Sequence, residues 1–286
     1  MVINIHSGLA NSKNHILDAL DVFCKNGYTV TTYITQDVND AYEYLIHNKV
    51  KYEIVCAFGG DGTLNEVVNA LMSYKEKPMI GYFPSGTMND FGSNFNLSTD
   101  FKTIAENICK DEYHEFDVGD FNGRYFNYVA AFGAMCDVPY TTSRKTKQLL
   151  GPLAYVLQGI SKLDEIKPTK VKVTVDGKTK EMKVLFGMVF SGGRVAGQQL
   201  VSKARSRIDD GTFNVMLVDY VDHDFLIVPD IISTLAQSSK YIHSYKAKEI
   251  TLEFEDDVLW TVDGEKAESN KIIKIKNINK AMKIKA

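Results

Sequence analysis

The stretch EIVCAFGGDGTLNEVVNALM, residues 53 to 72, constrains the fold more than any other. Its first part is apolar enough for a strand covered on both faces. Its last part sets Leu64, Val67, Val68 and Leu71 at helical spacing. Glycines and Asp61 lie between, so the turn joins the carboxyl end of a strand to the amino end of a helix. Exposed N–H groups and the helix dipole favour an anion there. Glycine lets such an anion approach the backbone closely. Thr63 and Glu66 stand three apart, which predicts a capping box with Thr63 as N-cap. Asp61 fits a phosphate cradle only if its charge is balanced, and a metal ion or its bound water would do so. The plainer alternative is an ordinary strand-to-helix turn. No Gly-Lys-Ser/Thr follows and no G-x-G-x-x-G is present, so this is neither a P-loop nor a dinucleotide fingerprint.

The surrounding chain repeats that grammar. VINIH, YTVTTYIT and PMIGYF read as further strands, and KNHILDALDVFCKNG and DVNDAYEYLIHN as helices. Alternation of this kind predicts an α/β domain with a mostly parallel, Rossmann-like sheet over residues 1–122. PMIGYF runs into PSGTMNDF, where Gly86 gives freedom and Thr87 with Asp90 predicts a second cap. From about residue 120 the pattern changes. Asn122-Gly123 and Asp176-Gly177 are hairpin signals between apolar or alternating runs. GTFNVMLVDYV, EITLEFE, VLWTVDGE and NKIIKIK read as strands, and GPLAYVLQGISKL and DFLIVPDIISTLAQ as helices. A β-sandwich domain over residues 123–286 follows.

Composition narrows the partners. A formal net charge of −3 over 286 residues argues against a nucleic-acid binder. Cys24, Cys56, Cys109 and Cys136 show no metal-ligand spacing. With no signal-peptide pattern and no apolar run of ~18 residues, a cytoplasmic protein is expected.

FGGDGTLNEVVNAL followed by PSGTMNDF resembles the catalytic domain of the diacylglycerol kinase family, which includes bacterial soluble lipid kinases and is related to sphingosine and ceramide kinases. NAD kinases share the GGDG turn without the second loop. The resemblance runs over essentially the whole chain and implies an α/β domain, a β-sandwich domain, and ATP in the cleft between them. It makes NIHSG a phosphate loop, so Asn4, Ser7 and Gly8 become candidate nucleotide contacts. Thr35, Gly59, Gly60, Asp61, Gly62, Thr63, Leu64, Asn65 and Thr87 join them. In RIDDGTF it implies a structural magnesium site at Arg207, through its carbonyl, Asp210 and Thr212; the plainer reading of DDGT is a strand-initiating turn. In WTVDGEKAE, otherwise a common hairpin turn, it implies Glu265 as general base, with Asp263 orienting the site or holding magnesium. Glu265, Asp263 and Asp61 are thus the candidate catalytic residues.

The activity implied is a magnesium- and ATP-dependent kinase, phosphorylating a hydroxyl of diacylglycerol or a similar lipid. A kinase of a soluble acceptor such as NAD and a non-catalytic lipid- or nucleotide-binding protein stay open. A lipid acceptor implies peripheral contact with a membrane surface. The lysine-rich tail NKIIKIKNINKAMKIKA reads as an amphipathic edge strand, or as a segment drawn to anionic headgroups. VPYTTSRKTKQLLGPLAYVL pairs a basic run with an apolar one, as interfacial segments do and as a core helix after a solvated loop also does. An edge strand of the second domain could support a homodimer.

Overall fold

A computed structural model describes residues 1–7, 13–48, 51–95, 97–133, 168–195, 197–202, 206–220 and 241–285. Gly8, the two helical segments expected at 151–163 and 224–237, and the basic–apolar stretch 138–157 lie outside the described residues. The chain divides into two compact units. Met1–Val118, Arg124–Asn127 and Ile278–Ala286 form the first, and Gly119–Gly123 with Tyr128–Asn277 the second.

In the first unit, β1 (Val2–Ile3) lies parallel to β2 (Tyr33–Ile34) on one side and to β3 (Ile54–Gly59) on the other. Beyond β3 comes β4 (Met79–Pro84), also parallel. Near the end of the chain, Ile284 and Lys285 add parallel to Ile80 and Gly81. Val55, Cys56, Ala57 and Phe58 of β3 are all buried, as a strand covered on both faces requires. The helices are α1 (Lys13–Lys25), α2 (Asp40–His47), α3 (Asp61–Met72) and α4 (Phe101–Ile108). Phe23 of α1, Phe58 of β3, Phe83 of β4 and Phe101 of α4 meet mainly edge to face in one core. Asn26-Gly27 closes α1: Gly27 takes a positive φ, and the Tyr28 N–H bonds back to the Phe23 carbonyl.

Several expectations need correction. YTVTTYIT is a strand only at Tyr33–Ile34. Thr63 is not an N-cap: α3 begins at Asp61, with Gly60 as its cap residue. Glu66 does not fold back on its own helix. Its carboxylate crosses to α2 and accepts from the N–H groups of Asn39 (2.9 Å) and Ala41 (3.0 Å). Asn39 sits in the left-handed region and makes no side-chain cap of its own, so a distant glutamate caps α2 instead. Helix α4 was not expected. Its signal was present in Asp100, which caps the Thr103 N–H, and in the spacing of Phe101, Ile104, Ala105 and Ile108.

The second unit is antiparallel in every described pair. Apart from the short two-stranded pair β10 (Arg194–Val195) and β11 (Gln198–Gln199), its strands are β7 (Val129–Gly133), β8 (Thr169–Val175), β9 (Lys178–Phe190), β12 (Phe213–Asp219), β13 (Ile242–Ala247), β14 (Glu249–Val262) and the greater part of β15 (Glu265–Lys285). They follow the order β13-β12-β9-β7-β14-β15, with β8 between β9 and β14. The long strands split their partners. β9 pairs with β8 through its first half and with β12 and β7 through its second, and β14 divides itself likewise. EITLEFE and VLWTVDGE, expected as two strands, are this one bent strand, with its register broken between Glu253 and Val258. Trp260 is fully buried against Phe121, Phe132 and Phe254. The mostly parallel sheet expected of the first domain is therefore not the rule for the chain: among the described residues, the parallel pairs are those of β2-β1-β3-β4 and the end of β15. Nor is the tail an edge, since β15 pairs with both β14 and β5 (His114–Phe121). Lys271, Lys274 and Lys276 do face water while Ile273 and Ile275 are buried.

Asn122-Gly123, Asp176-Gly177 and Asp263-Gly264 all have positive φ at both residues. That is the turn whose twist suits tight hairpins. The first joins β5 to β6 (Arg124–Phe126), the second β8 to β9, and the third β14 to β15.

The Glu66 cap gives the first prediction. Glu66→Ala should lower stability by about 1–2 kcal/mol, as loss of a helix cap does. The measurement is the shift in urea midpoint, with the unfolding slope unchanged.

Candidate functional site

Four loops gather where open parallel sheets bind ligands, at the carboxyl ends of β1 to β4. The segment Asn4–Ser7 follows β1, Thr35 follows β2, Gly59–Thr63 follows β3, and Ser85–Phe91 follows β4. Their cross-links are specific. The Asn4 side-chain amide donates to Thr63 Oγ1 at 3.1 Å, and the Asn4 N–H donates to the Phe58 carbonyl at 2.8 Å. The Ser7 and Ser85 hydroxyls are 2.6 Å apart. The Ser85 N–H bonds the Gly59 carbonyl at 2.9 Å. Thr35 is buried, with its N–H and hydroxyl both directed to the Ile3 carbonyl at 2.9 and 3.4 Å. The N–H groups of the first turn of α3 have no carbonyl four residues behind them within the helix.

Asp61 answers the charge question that its sequence position poses. Its carboxylate accepts the N–H groups of Asp90 (3.1 Å) and Phe91 (3.3 Å) and, at a longer 3.5 Å, the Tyr82 hydroxyl. Burial, reinforced by the Asp61 charge, pushes the Tyr82 phenol well above its usual range, so it remains a donor. Asp61 thereby stitches the loop after β3 to the loop after β4. A second contact holds the same seam. A Cβ on Gly86 would lie 2.6 Å from the Gly60 Cα and 2.8 Å from Asn89 Oδ1, so only glycine lets the backbones come this close.

The expected cap of Thr87 and Asp90 is absent. Thr87 is exposed and no helix starts there. Instead Asn89, at a φ of 50°, clasps Gly86 through both ends of its amide. Its Oδ1 accepts from the Gly86 N–H at 2.9 Å and its Nδ2 donates to the Gly86 carbonyl at 2.8 Å. Leu64 is fully buried, and the buried Asn65 donates to the Tyr125 carbonyl and to Asn127 Oδ1, both at 3.3 Å. Of the expected contacts, Gly62 has backbone alone to offer, and Leu64 and Asn65 turn their side chains into the unit. Tyr82, Ser85 and Asn89 were missed. The left-handed asparagine after a Ser-Gly pair was the available signal.

In the second unit, Asp263 is buried and in the left-handed region at a φ of 48°. Its Oδ1 accepts the N–H groups of Tyr128 (3.0 Å) and Val129 (2.8 Å), and its own N–H bonds the Val129 carbonyl at 2.7 Å. This clamps the β14–β15 turn to β7. Glu265 follows directly, half-buried and paired with Val262 across the turn.

RIDDGT is closed in on itself. Arg207 grips Asp209 through two bonds of 2.8 and 2.7 Å. One Asp210 oxygen takes the Thr212 hydroxyl (2.6 Å) and N–H (3.0 Å), and the other takes the Lys246 ammonium at 2.6 Å. Burial pulls the Asp210 carboxyl upward, but these donors outweigh it and hold the acid below its usual range. Both carboxylates are matched by a cation of the chain, and among the described residues no cluster of His, Cys, Asp or Glu could hold a metal. A magnesium ion at the Arg207 carbonyl, Asp210 and Thr212 would share the Asp210 carboxylate with Lys246.

Three substitutions probe these seams. Gly86→Ala should cost about 1–3 kcal/mol, the usual range for overpacking. Amide exchange at Asp90 and Phe91 should quicken in step, which proton-exchange NMR would record. Asp263→Asn keeps an oxygen at the accepting position and tolerates the left-handed backbone, so it should preserve the turn. Asp263→Ala strands two amides and should cost about 2 kcal/mol or more, read as the difference in urea midpoint between the two variants.

Known proteins carry the same organisation. The diacylglycerol kinase catalytic domain profile matches residues 1–121, and that of the YegS C-terminal NAD kinase beta sandwich-like domain matches residues 131–276. A diacylglycerol kinase of Staphylococcus saprophyticus is 32% identical over 272 residues, covering 93% of this chain and 88% of the relative. One of Staphylococcus carnosus is 33% identical over 275 residues, covering 93% and 87%. Among solved structures, a diacylglycerol kinase of Bacillus anthracis superposes with a TM-score of 0.83 over 99% of this chain and 94% of its own, at 22% identity. An NAD kinase of Archaeoglobus fulgidus in complex with ATP shares the fold more distantly, with a TM-score of 0.53 at 12% identity, covering 100% of this chain and 92% of that one. Loops stitched by Asp61 at the carboxyl ends of β3 and β4, an antiparallel β-sandwich, and identity of this extent lead to one conclusion: the chain belongs to the diacylglycerol kinase catalytic domain family.

Proposed function

We propose that this kinase-family protein transfers the γ-phosphoryl group of ATP to a hydroxyl of diacylglycerol or a similar lipid, with magnesium as the companion of ATP. The observation that carries the reading is the seam between Gly60–Asp61 and Gly86–Phe91. There two loops at the mouth of a parallel sheet are locked together with helical N–H groups beside them. The names of the Staphylococcus relatives support the lipid acceptor. We place this activity in the cytoplasm with peripheral association to a membrane. Among the described residues no helix is long and apolar enough to cross one. A homodimer through an edge strand is part of the same proposal, and β13 ends the described strand order of the second unit.

Phosphoryl transfer asks a protein chiefly for positioning and charge neutralisation. In this reading the loops at Asn4–Gly8, Thr35, Gly59–Asn65 and Thr87 hold the triphosphate, largely through backbone N–H groups. Asp61 keeps the two principal loops in register. Magnesium, when bound with the nucleotide, offsets phosphate charge; no step depends on a cation at Asp210. Glu265 takes the proton of the acceptor hydroxyl as its oxygen bonds to the γ-phosphorus and the bond to the ADP oxygen breaks. Asp263 acts by fixing the turn that carries Glu265.

Glu265→Gln should lower kcat about 10²- to 10⁴-fold, the usual worth of a general base, with the KM for ATP little changed. Radiolabelled ATP offered with diacylglycerol, a sphingoid base or NAD tests the acceptor in the same assay. Label in NAD alone would overturn the lipid reading, and turnover within a few-fold of wild type in the variant would remove Glu265 as the base.

A further inference from the structure

The β8–β9 hairpin builds a slot that the kinase reading does not use. Val171 and Val173 are buried, as are Phe254 and Leu252 paired with them on β14. Across the hairpin, Val173 pairs with Lys180 and Val175 with Lys178. Directly opposed residues project to the same side of a sheet, so both lysines emerge from the apolar face. The other face is where lysines find acids: Lys170 reaches Glu255 and Lys172 reaches Glu253, each at 3.0 Å. Among the described residues Lys178 and Lys180 have no ion-pair partner. With Val173, Val175, Tyr245 and Lys246 they line a cavity of about 370 Å³. The acids at its margin are engaged elsewhere. Asp176 accepts the N–H groups of Lys248 and Glu249 at 3.1 and 3.2 Å, and Asp210 holds Lys246.

Lysines at a strand edge deter unwanted pairing, but that role leaves a valine-floored cavity unexplained. Two unanswered ammonium groups over an apolar floor are complementary to a phosphate that carries an apolar continuation. The volume decides its source. It lies near the small end of ligand pockets, roughly 300–1,000 Å³. That admits a headgroup and the beginning of its chains, while the remainder of a two-chain lipid must stay in a bilayer. We propose that this slot seats the phosphate of an anionic phospholipid at a membrane surface and so docks the β-rich unit there. The proposal rests on the lipid-acceptor reading for its purpose, but not for its test.

Sedimentation of the full chain with vesicles, without ATP, is the experiment. Vesicles of phosphatidylcholine plus phosphatidylglycerol should bind the protein, and phosphatidylcholine alone should bind it far less. Lys178→Ala with Lys180→Ala should weaken binding to the anionic vesicles roughly 30-fold, equivalent to about 1 kcal/mol for each lysine. Lys170→Ala with Lys172→Ala, on the opposite face, should change it by less than about twofold. Should the alanine pair unfold, Lys178→Gln with Lys180→Gln keeps side-chain length and repeats the measurement. Equal loss in the two pairs, or no loss in the first, overturns the slot. So does wild-type protein that ignores anionic vesicles. If soluble glycerol phosphate alone saturates the site, read as NMR shifts at the Lys178 and Lys180 amides, the bilayer assignment falls. A failed dock leaves the kinase reading standing, and an inactive enzyme that still sediments leaves the dock standing.

Discussion

A carboxylate at the mouth of a parallel sheet, beside the start of a helix, has to be answered by donors, and Asp61 is answered by the backbone of another loop. Hydrogen bonds to a charged acceptor are each worth about 1.5–3 kcal/mol, roughly twice the neutral kind. The two amides of Asp90 and Phe91 therefore do more than satisfy Asp61: they fix the loop after β4 against the start of α3. With that distance set, Gly60 and Gly86 must touch, and no side chain is tolerated between them. Asn89 then closes the second loop on itself. The negative charge lies within the seam, and the N–H groups of the first α3 turn stay beside it. An acid in this loop is in this way compatible with the anion binding proposed there, before any cation is considered.

The parts of this architecture that were legible in the sequence are the parts set by local backbone conformation. Asn122-Gly123, Asp176-Gly177 and Asp263-Gly264 are turns because few residue pairs accept positive φ twice in succession, and all three appear where they were expected. α1 was legible because apolar spacing fixes which face is buried, and β3 because an unbroken apolar run calls for cover on both faces. Side chains that act over long separations were not. Glu66 looks like half of a capping box three residues from Thr63, yet its carboxylate serves amides 25 and 27 residues away. Thr63 meanwhile receives a bond from Asn4, 59 residues away. Spacing along the chain cannot rank a local partner against one that only the tertiary fold supplies.

The acids of the β-rich unit make the same point about charge. Asp209, Asp210 and Asp263 resemble metal ligands or catalytic groups by residue type, and Asp210 and Asp263 also by position beside glycine. Each is spent on holding its own turn or the neighbouring strand: Asp209 on Arg207, Asp210 on Thr212 and Lys246, Asp263 on the amides of Tyr128 and Val129 where β7 begins. An Asp-Gly pair is chosen for the left-handed backbone, and its carboxylate then finds the nearest unpaired N–H or ammonium. The residue types of a site and of a well-tied hairpin are thus the same, and only the partners distinguish them.

Glu265 stands apart from those three because of where the turn puts it. A two-residue turn leaves little freedom in the direction of the residue that follows, and Glu265 is held in register by Val262. The clamp of Asp263 onto Tyr128 and Val129 fixes the turn in its turn, with a buried carboxylate whose acceptor atom is fully committed to two amides. Orientation of Glu265 is therefore a property of backbone hydrogen bonds, which cost little to maintain once the sandwich is folded. A general base placed by a hinge or a long loop would have to recover that orientation in every turnover. Asp263 consequently matters to the chemistry proposed for Glu265 through geometry alone, and an uncharged asparagine at that position is the substitution that separates geometry from charge.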